Sequence, residues 1–520
     1  MIIIGLIVFG SVLIFCGLKD PREFSNKVCY MFTYTGFLFS LIGIFNYLLN
    51  PATRSSSLFG DRVFDAEFVV STISFLLITT MLLKSHNGKI RNLLFLANLF
   101  PLIYIIILRT RAGWLATGII FITIVLFSLL YFIHINGKFL LLRIGALIII
   151  SICLAILIPV DRKYERADLS KTLGSIFEND YYSNKVRIDY WNNSLKIFSE
   201  YPISGIGRGK WAGIYPYYSG KSYTDENVDM NSAINPHNDY IEVLTEYGIF
   251  GFIIFTGFIF TGLYFLFKKS KREINYLPFF LSALGVCIMM FFSFTKDNFW
   301  VMIVFGVCMG IGYSTNYKLV IKRYEFLNRN KLSLKKALLI IGILMFTTGI
   351  WFKIMAELNE KEYLEAMKLK SQNKYEEMLT KLDGVSDFYY PVDMSKIPVD
   401  YYRGVGYFEL KQYDKALEKF KSARERMKYY PTIMNNEAAA LYMTGNYEEA
   451  KKRYNEIRDI FPNYIEPRIN LLAFYTNQKR YNEARELISE IESKTYDSRY
   501  VKNYSVFLEI KDYFNRNNIQ

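Results

Sequence analysis

The sequence predicts an all-α membrane protein: a polytopic helix bundle of about ten spans, a large extracytoplasmic loop and a C-terminal α-solenoid of short helical repeats. Three observations predict it. The chain of 520 residues is 52% hydrophobic and 17% aromatic, with a mean hydropathy of +0.14 despite a charged C-terminal third. Apolar runs of bilayer-spanning length recur through the first two thirds, and a fixed repeat occupies the rest.

The apolar runs lie near residues 2–18, 28–49, 66–83, 92–108, 113–134, 139–159, 246–267, 277–294, 298–314 and 335–355. The first lacks a basic n-region and is followed by Lys19, Arg22 and Lys27, which fits a retained helix rather than a cleaved signal peptide. Lys and Arg accumulate in cytoplasmic loops. Three basic turns, Lys84 with Lys89 and Arg91, Lys268 to Arg272, and Lys318 to Lys331, fall on one face if all ten runs span. The opposite face then carries Arg54, Arg62, the turn holding Arg109 and Arg111, a long loop from 160 to 245, and everything after 356. The expected domains are a membrane domain, 1–356, and an extracytoplasmic repeat domain, 357–520. A Lys, Asn, Ile and Tyr bias suggests an AT-rich bacterial genome.

The net charge of +14 is explained by these turns, which argues against a nucleic-acid partner. All five cysteines (Cys16, Cys29, Cys153, Cys287 and Cys308) sit in apolar segments without a CxxC pair. They read as small core residues, with neither disulfide nor zinc.

The repeat is countable. Tyr413, Tyr447 and Tyr481 are 34 residues apart, as are Ala416, Ala450 and Ala484, and each Ala is followed four residues on by Phe420, Tyr454 or Ile488. This is the tetratricopeptide period. The small Ala admits the partner helix and the larger side chain fills the gap between repeats. Pro462 falls where the pattern expects a proline, Pro431 about three residues late, and a degenerate fourth repeat surrounds Tyr375, set apart by an insertion with Pro391 and Pro398. Such solenoids bind partners and seldom carry chemistry. A docking role for a protein partner is expected, against the simpler reading that the repeats only cap the membrane domain.

Proton chemistry points to His237, one of only three histidines. It opens Pro236-His237-Asn238-Asp239-Tyr240, a polar stretch running into a long apolar helix, whereas His86 and His134 lie beside basic turns assigned to the cytoplasmic face. Two other elements share its face: Arg109-Thr110-Arg111-Ala112-Gly113-Trp114 at the start of a span, and Arg187-Ile188-Asp189-Tyr190-Trp191 in the long loop. Each is weak alone, because a helix-end arginine commonly snorkels, a lone loop histidine is commonly solvated, and Arg187 can stack on Trp191. Together they suggest anion chemistry. Two arginines can clamp a pyrophosphate with forked hydrogen bonds and neutralise it as it leaves, while a neutral histidine takes a proton from an acceptor hydroxyl.

Asn238 and Asp239 stand where helix N-caps belong and are expected to orient the histidine. Arg109 lies two residues from Arg111, so on a helix only one of them faces the site. Gly205-Ile206-Gly207-Arg208-Gly209-Lys210-Trp211 lacks the Walker spacing and frame and reads as a tight turn under the site, with Arg208 a possible phosphate contact. No residue set has metal-ligand spacing, and no metal or cofactor is expected.

These elements, in this order, resemble the O-antigen ligase and polymerase superfamily. The matching features are Thr110-Arg111-Ala112-Gly113, Arg187 to Trp191, Gly205-Ile206-Gly207, His237-Asn238 and Glu246-Tyr247-Gly248 to Gly251. The resemblance covers roughly residues 60 to 315 and departs in Thr110, where serine is usual, and in a span count below that common in the ligases. It implies a metal-independent, inverting transfer of a glycan from a polyprenyl-pyrophosphate carrier to an acceptor on the outer face of the plasma membrane. By position, it implies that Arg111 and Arg187 bind the pyrophosphate and His237 activates or steers the acceptor hydroxyl. Trp191, Asn238, Arg109 and Arg208 are the expected secondary contacts.

The acceptor is open between a lipid, the glycan itself in a polymerase, and a protein hydroxyl in an O-oligosaccharyltransferase. The repeats favour a protein acceptor or assembly partner. A polytopic transporter should carry ionisable residues or broken helices near the bilayer midplane, where Pro101 and Arg143 are the main irregularities. A membrane scaffold presenting the repeats would not need a long loop carrying Arg187 and His237.

Overall fold

The computed structural model describes residues 10–14, 18, 21–49, 58, 62–82, 96–131, 145–153, 182–224, 233–323, 331–494, 501 and 503–517. Among them there is no β-strand, only an isolated bridge between Val392 and Pro398. The chain divides into two compact units. One comprises Met1–Tyr190, His237–Val243 and Gly251–Phe352, and the other Trp191–Pro236, Leu244–Phe250 and Lys353–Gln520.

The first unit is a helix bundle. Its members are α1 (Pro21–Leu49), α2 (Arg62–Leu82), α3 (Leu99–Leu108), α4 (Arg111–Tyr131), the start of α5 (Tyr182–Glu200) and most of α7 (Asp239–Ser270), with α8 (Leu277–Met289), α9 (Phe299–Arg323) and the start of α10 (Lys331–Ser371). Between α5 and α7 the chain forms α6 (Trp211–Ser219), which belongs to the second unit. By length and composition, Glu23–Leu49, Arg111–Tyr131, Asp239–Ser270 and Lys336–Ser371 are long and apolar enough to cross a membrane, and Leu99–Leu108, Ile274–Met289 and Phe299–Ser314 are shorter apolar helices. The runs near 2–18 and 139–159 lie in large part outside the described residues, as do His86, His134 and the basic turn from Lys84 to Arg91.

Helix α8 sits at the centre, against α2, α4 and α9. Lipid offers no hydrophobic drive between helices, so close approach and interhelical hydrogen bonds hold the seam. A Cβ at Gly285 would meet Val70 Cγ1 at 2.8 Å and Ile120 Cδ1 at 2.9 Å. Ser282 donates to the Ser71 carbonyl at 2.5 Å, and Ser74 to the Pro278 carbonyl at 3.0 Å.

The second unit holds the repeats: α11 (Tyr375–Asp383), α12 (Val399–Glu409), α13 (Tyr413–Arg426), α14 (Pro431–Met443), α15 (Tyr447–Ile460), α16 (Glu466–Asn477), α17 (Tyr481–Glu492) and α18 (Tyr504–Arg516). Tyr413, Tyr447 and Tyr481 each open the second helix of a pair, and Ala416, Ala450 and Ala484 are fully buried. Phe420 and Tyr454 fill the core as the period requires, with Ile488 packed at its edge. At the expected degenerate repeat, α11 begins at Tyr375, and the insertion after it closes through the Val392 to Pro398 bridge. Pro431 stands in the first turn of α14, where its missing N–H costs nothing. It marks a helix start, whereas Pro462 follows the end of α15, which accounts for the offset between them.

Helix α10 is one continuous helix from the apolar run into the first repeat, with no proline or glycine between Ile350 and Ser371 to interrupt it. The division between units falls inside it, at Phe352 and Lys353.

Candidate active site at one end of the bundle

The ends of α2, α3, α4, α5, α7, α8 and α9 build the site, all within the first unit. Arg109 is in the left-handed region (φ 51°) at the end of α3, its N–H bonded to the Ile106 carbonyl at 3.2 Å. Arg111 starts α4. The two arginines are therefore separated by a break between two helices, so helical twist does not set their relative directions. Gly113 allows that break to pack tightly, since a Cβ there would meet Thr110 Oγ1 at 2.5 Å, Ile105 Cδ1 at 2.9 Å and Ala66 Cβ at 3.3 Å. Trp114 donates its indole N–H to the Ile105 carbonyl at 2.8 Å, satisfying an acceptor that α3 leaves open.

Arg111 Nη1 donates to Asn184 Oδ1 on α5 at 2.9 Å, and Arg187 lies one turn further along α5. Burial, with Arg111 close by, pushes the Arg187 guanidinium down to about 10. Two cations this close repel each other, and an anion placed between them would relieve that repulsion.

His237 is half-buried and left-handed (φ 51°), a conformation unusual outside glycine. Its ring lies nearly parallel to Tyr190 at 6.3 Å and edge-on to Phe294 at 5.3 Å. Burial lowers its pKa, and Arg187 lowers it further, to about 4. The imidazole is thus neutral at pH 7 and able to accept a proton.

What holds His237 in place is the start of α7. Asn238 is the N-cap: its Oδ1 accepts from the N–H groups of Tyr240 and Ile241 at 3.0 and 3.1 Å. Asp239, expected as a second cap, does other work. Its N–H donates to the Met290 carbonyl at 2.8 Å, and its carboxylate accepts from the Lys296 N–H at 2.9 Å.

Lys296, in the short turn between α8 and α9, is the centre of a buried ion cluster. Its Nζ lies 2.9 Å from Glu242, 3.3 Å from Asp239 and 3.6 Å from Asp297. The side chains of Lys296 and Glu242 are 4% exposed and that of Asp239 is fully buried. Burial works against the ammonium, but Glu242, Asp297 and Asp239 together outweigh it and hold Lys296 charged. The neighbouring Thr295 and Asn298 donate to Glu67, also buried in α2, at 2.9 and 3.0 Å. In the sequence, the signal was a Thr-Lys-Asp-Asn run too short to be a solvated loop between two apolar helices.

The glycine motifs lie in the second unit and explain one another. Gly248 breaks α7 with φ 66° and ψ −168°, a conformation essentially reserved for glycine. The Gly205-Ile206-Gly207 turn plugs into that break. Ile206 N–H donates to the Thr245 carbonyl at 3.1 Å, Gly207 N–H to the Glu246 carbonyl at 3.0 Å and Ile249 N–H to the Pro202 carbonyl at 2.9 Å. Glu246 then takes the N–H of Trp211 at 3.2 Å, capping α6 with a carboxylate at the favourable end of its dipole. Trp191 donates its indole N–H to the Pro236 carbonyl at 2.9 Å, which fixes the residue before His237. Arg208 is exposed beside this turn.

The geometry is that of two neighbouring guanidinium groups beside a buried histidine. The family model for O-antigen ligase matches residues 96–256, and the tetratricopeptide-repeat model matches 407–463 and 445–503. Over residues 96–256 the chain is similar to the O-antigen ligase family, and over 407–503 to tetratricopeptide repeats. The ligase-family segment contains Arg109, Arg111, Arg187, Trp191, Arg208, His237 and Gly248. No curated protein matches the chain. It is therefore an O-antigen ligase or polymerase type of membrane enzyme, carrying C-terminal repeats.

Proposed function

We propose that the protein transfers a glycan from a polyprenyl-pyrophosphate carrier to an acceptor hydroxyl, on the outer face of a bacterial plasma membrane. The observation that carries this reading is the grouping of Arg111, Arg187 and a neutral His237 at one end of the helix bundle. Arg111 and Arg187 bind the two phosphates, and His237 accepts the hydroxyl proton as the oxygen attacks the anomeric carbon. The bond to the pyrophosphate then breaks, and the two guanidinium groups stabilise the leaving diphosphate. Attack from the face opposite the leaving group inverts the anomeric centre, and two arginines take over the charge neutralisation that a divalent metal supplies elsewhere.

A histidine titrating near 4 is a weak base, and the site itself offers the remedy. A bound pyrophosphate offsets the field of Arg187, the smaller cause of the shift, so the imidazole regains part of its basicity when donor is present. Proton transfer is thereby tied to donor binding. Asn238, Trp191 and the Lys296 cluster position His237, while Arg109 and Arg208 are held in reserve as contacts to the lipid-linked substrate.

The test is reconstitution in proteoliposomes with a polyprenyl-pyrophosphate-linked oligosaccharide and an acceptor glycan. Arg111→Ala and Arg187→Ala should each lower turnover by about 10²–10³-fold, and His237→Gln by about 10²–10⁴-fold. Normal surface glycan in cells carrying each of these variants at normal membrane levels would sink the proposal. In cells lacking the gene, a lost polymer ladder indicates a polymerase, and intact polymer left on its lipid carrier indicates a ligase.

A further inference from the structure

The second unit contains an open cleft of about 610 Å³ that none of this chemistry uses. One wall is the end of α6 and the other is a face of α15. The loop segment is fastened to the repeats around it. Tyr429 N–H donates to the Gly213 carbonyl at 2.9 Å and Asn463 to the Lys221 carbonyl at 2.8 Å. A Cβ at Gly213 would meet the Arg426 carbonyl at 2.6 Å, and one at Gly220 the Ile460 carbonyl at 2.0 Å, so both glycines allow direct backbone contact.

The floor is aromatic. Tyr217, 50% exposed, lies 4.8 Å from Tyr429 with their rings tilted by 39°. Facing them, Lys452, Asn455 and Asp459 lie on one side of α15 at steps of three and four residues. Among the described residues, none of these three makes a hydrogen bond or an ion pair, whereas their neighbour Glu456 is already engaged by Arg424 and Arg453.

This lining selects a ligand class. A phosphate or polyanion would meet Asp459 and Glu448 beside the lysines, and an amphipathic helix would need an apolar stripe that α15 lacks. A carbohydrate hydroxyl both donates and accepts, so an ammonium, a carboxamide and a carboxylate in a row can each bond it. Tyrosine rings give flat amphipathic surface for the C–H faces of sugar rings at low entropic cost. The volume lies within the range of small-ligand sites. We propose that this cleft is a saccharide-binding subsite, separate from the transfer chemistry, that holds a stretch of the glycan handled by the enzyme. The identity of the sugar as this enzyme's own glycan rests on the proposed function.

The test uses the full-length protein in nanodiscs and, as probe, oligosaccharides released by partial acid hydrolysis from the surface glycan of the cells that make it. Binding is followed by calorimetry and saturation-transfer NMR. Tyr217→Ala, and separately Lys452→Ala with Asp459→Ala, should each weaken binding by about tenfold or more without altering the melting profile, because these side chains are exposed. His237→Gln should abolish transfer and leave binding unchanged. Equal affinity in the wild type and both cleft variants, or no binding at about 10 mM sugar, overturns the subsite. Tyr217-dependent binding in a protein that transfers no glycan would leave the cleft standing and refute the proposed function instead.

Discussion

With three histidines in the chain, His237 can be titrated individually by NMR in labelled protein, His237→Gln identifying its signal. The expected pKa is about 4, against an ordinary 6.5, and that difference corresponds to roughly 3 kcal/mol disfavouring the imidazolium. Burial contributes the larger part and Arg187 the smaller. Arg187→Gln should therefore raise the pKa while leaving it below 6.5. Adding a pyrophosphate analogue to the wild type should raise it too, and should do so less in the variant, where the cation to be neutralised is missing. The same values set a pH window. An unfolded histidine takes its proton below pH 6.5 and the folded one only below about 4, so the unfolded state binds more protons in between and stability falls as pH is lowered through that interval. In kinetics, kcat/KM reports the free enzyme and should show its acid limb near 4, while the limb in kcat, reporting the donor complex, should lie higher. A wild-type pKa at or above 6.5 without ligand, or one indifferent to Arg187→Gln, refutes the electrostatic argument.

Lys296→Met strands the buried Asp239 and Glu242, at a cost of about 3–5 kcal/mol; thermal melts in detergent should show a large loss, relieved when Asp239→Asn and Glu242→Gln are added. If the single variant melts like wild type, the cluster is not structural. Asn238→Ala removes the cap of α7 and should cost about 1 kcal/mol, whereas Asn238→Asp, which keeps an acceptor, should recover most of the lost turnover. Gly248→Ala forces a Cβ to within 2.1 Å of the Ile203 carbonyl at a positive φ, and should cost at least about 1–3 kcal/mol; limited proteolysis should then cut the 202–211 segment faster. Arg187→Lys should fall well short of wild-type transfer, since a point charge cannot reproduce a forked pair of hydrogen bonds, and full activity would argue against a bidentate clamp.

Much of this molecule is legible as text because its signals are periodic or local. Tyr413, Tyr447 and Tyr481 fix the repeat through a spacing that recurs every two helices, and all three open the helix their position implies. The asparagine after His237 caps a helix because capping needs only its own side chain and the next three residues. Arg111 and Arg187 are far apart in sequence, and their proximity belongs to the fold. The start of α7 was less legible. The apolar run begins near residue 246, yet the helix begins at Asp239, because polar residues continue it on the strength of partners from elsewhere in the chain.

Those partners are what only tertiary structure could supply. Nothing near Lys296 in the sequence announces that it meets Asp239 and Glu242, since an ion pair in a buried turn depends on where α7, α8 and α9 end in space. The glycine motifs are similar: Gly205 and Gly248 each look like a separate turn, and only packing shows that one fills the break made by the other. The expected boundary at residue 356 follows composition, whereas the compact units gather residues 191–236 with the repeats, through contacts that composition does not encode. By itself, then, the sequence determined the helices and the repeat, and supplied the candidates for chemistry, because periodicity and side-chain type are properties of the chain. The neutral state of His237, the cluster that steadies it and the cleft beside α15 were decided by the fold, because burial and field depend on neighbours distant in sequence.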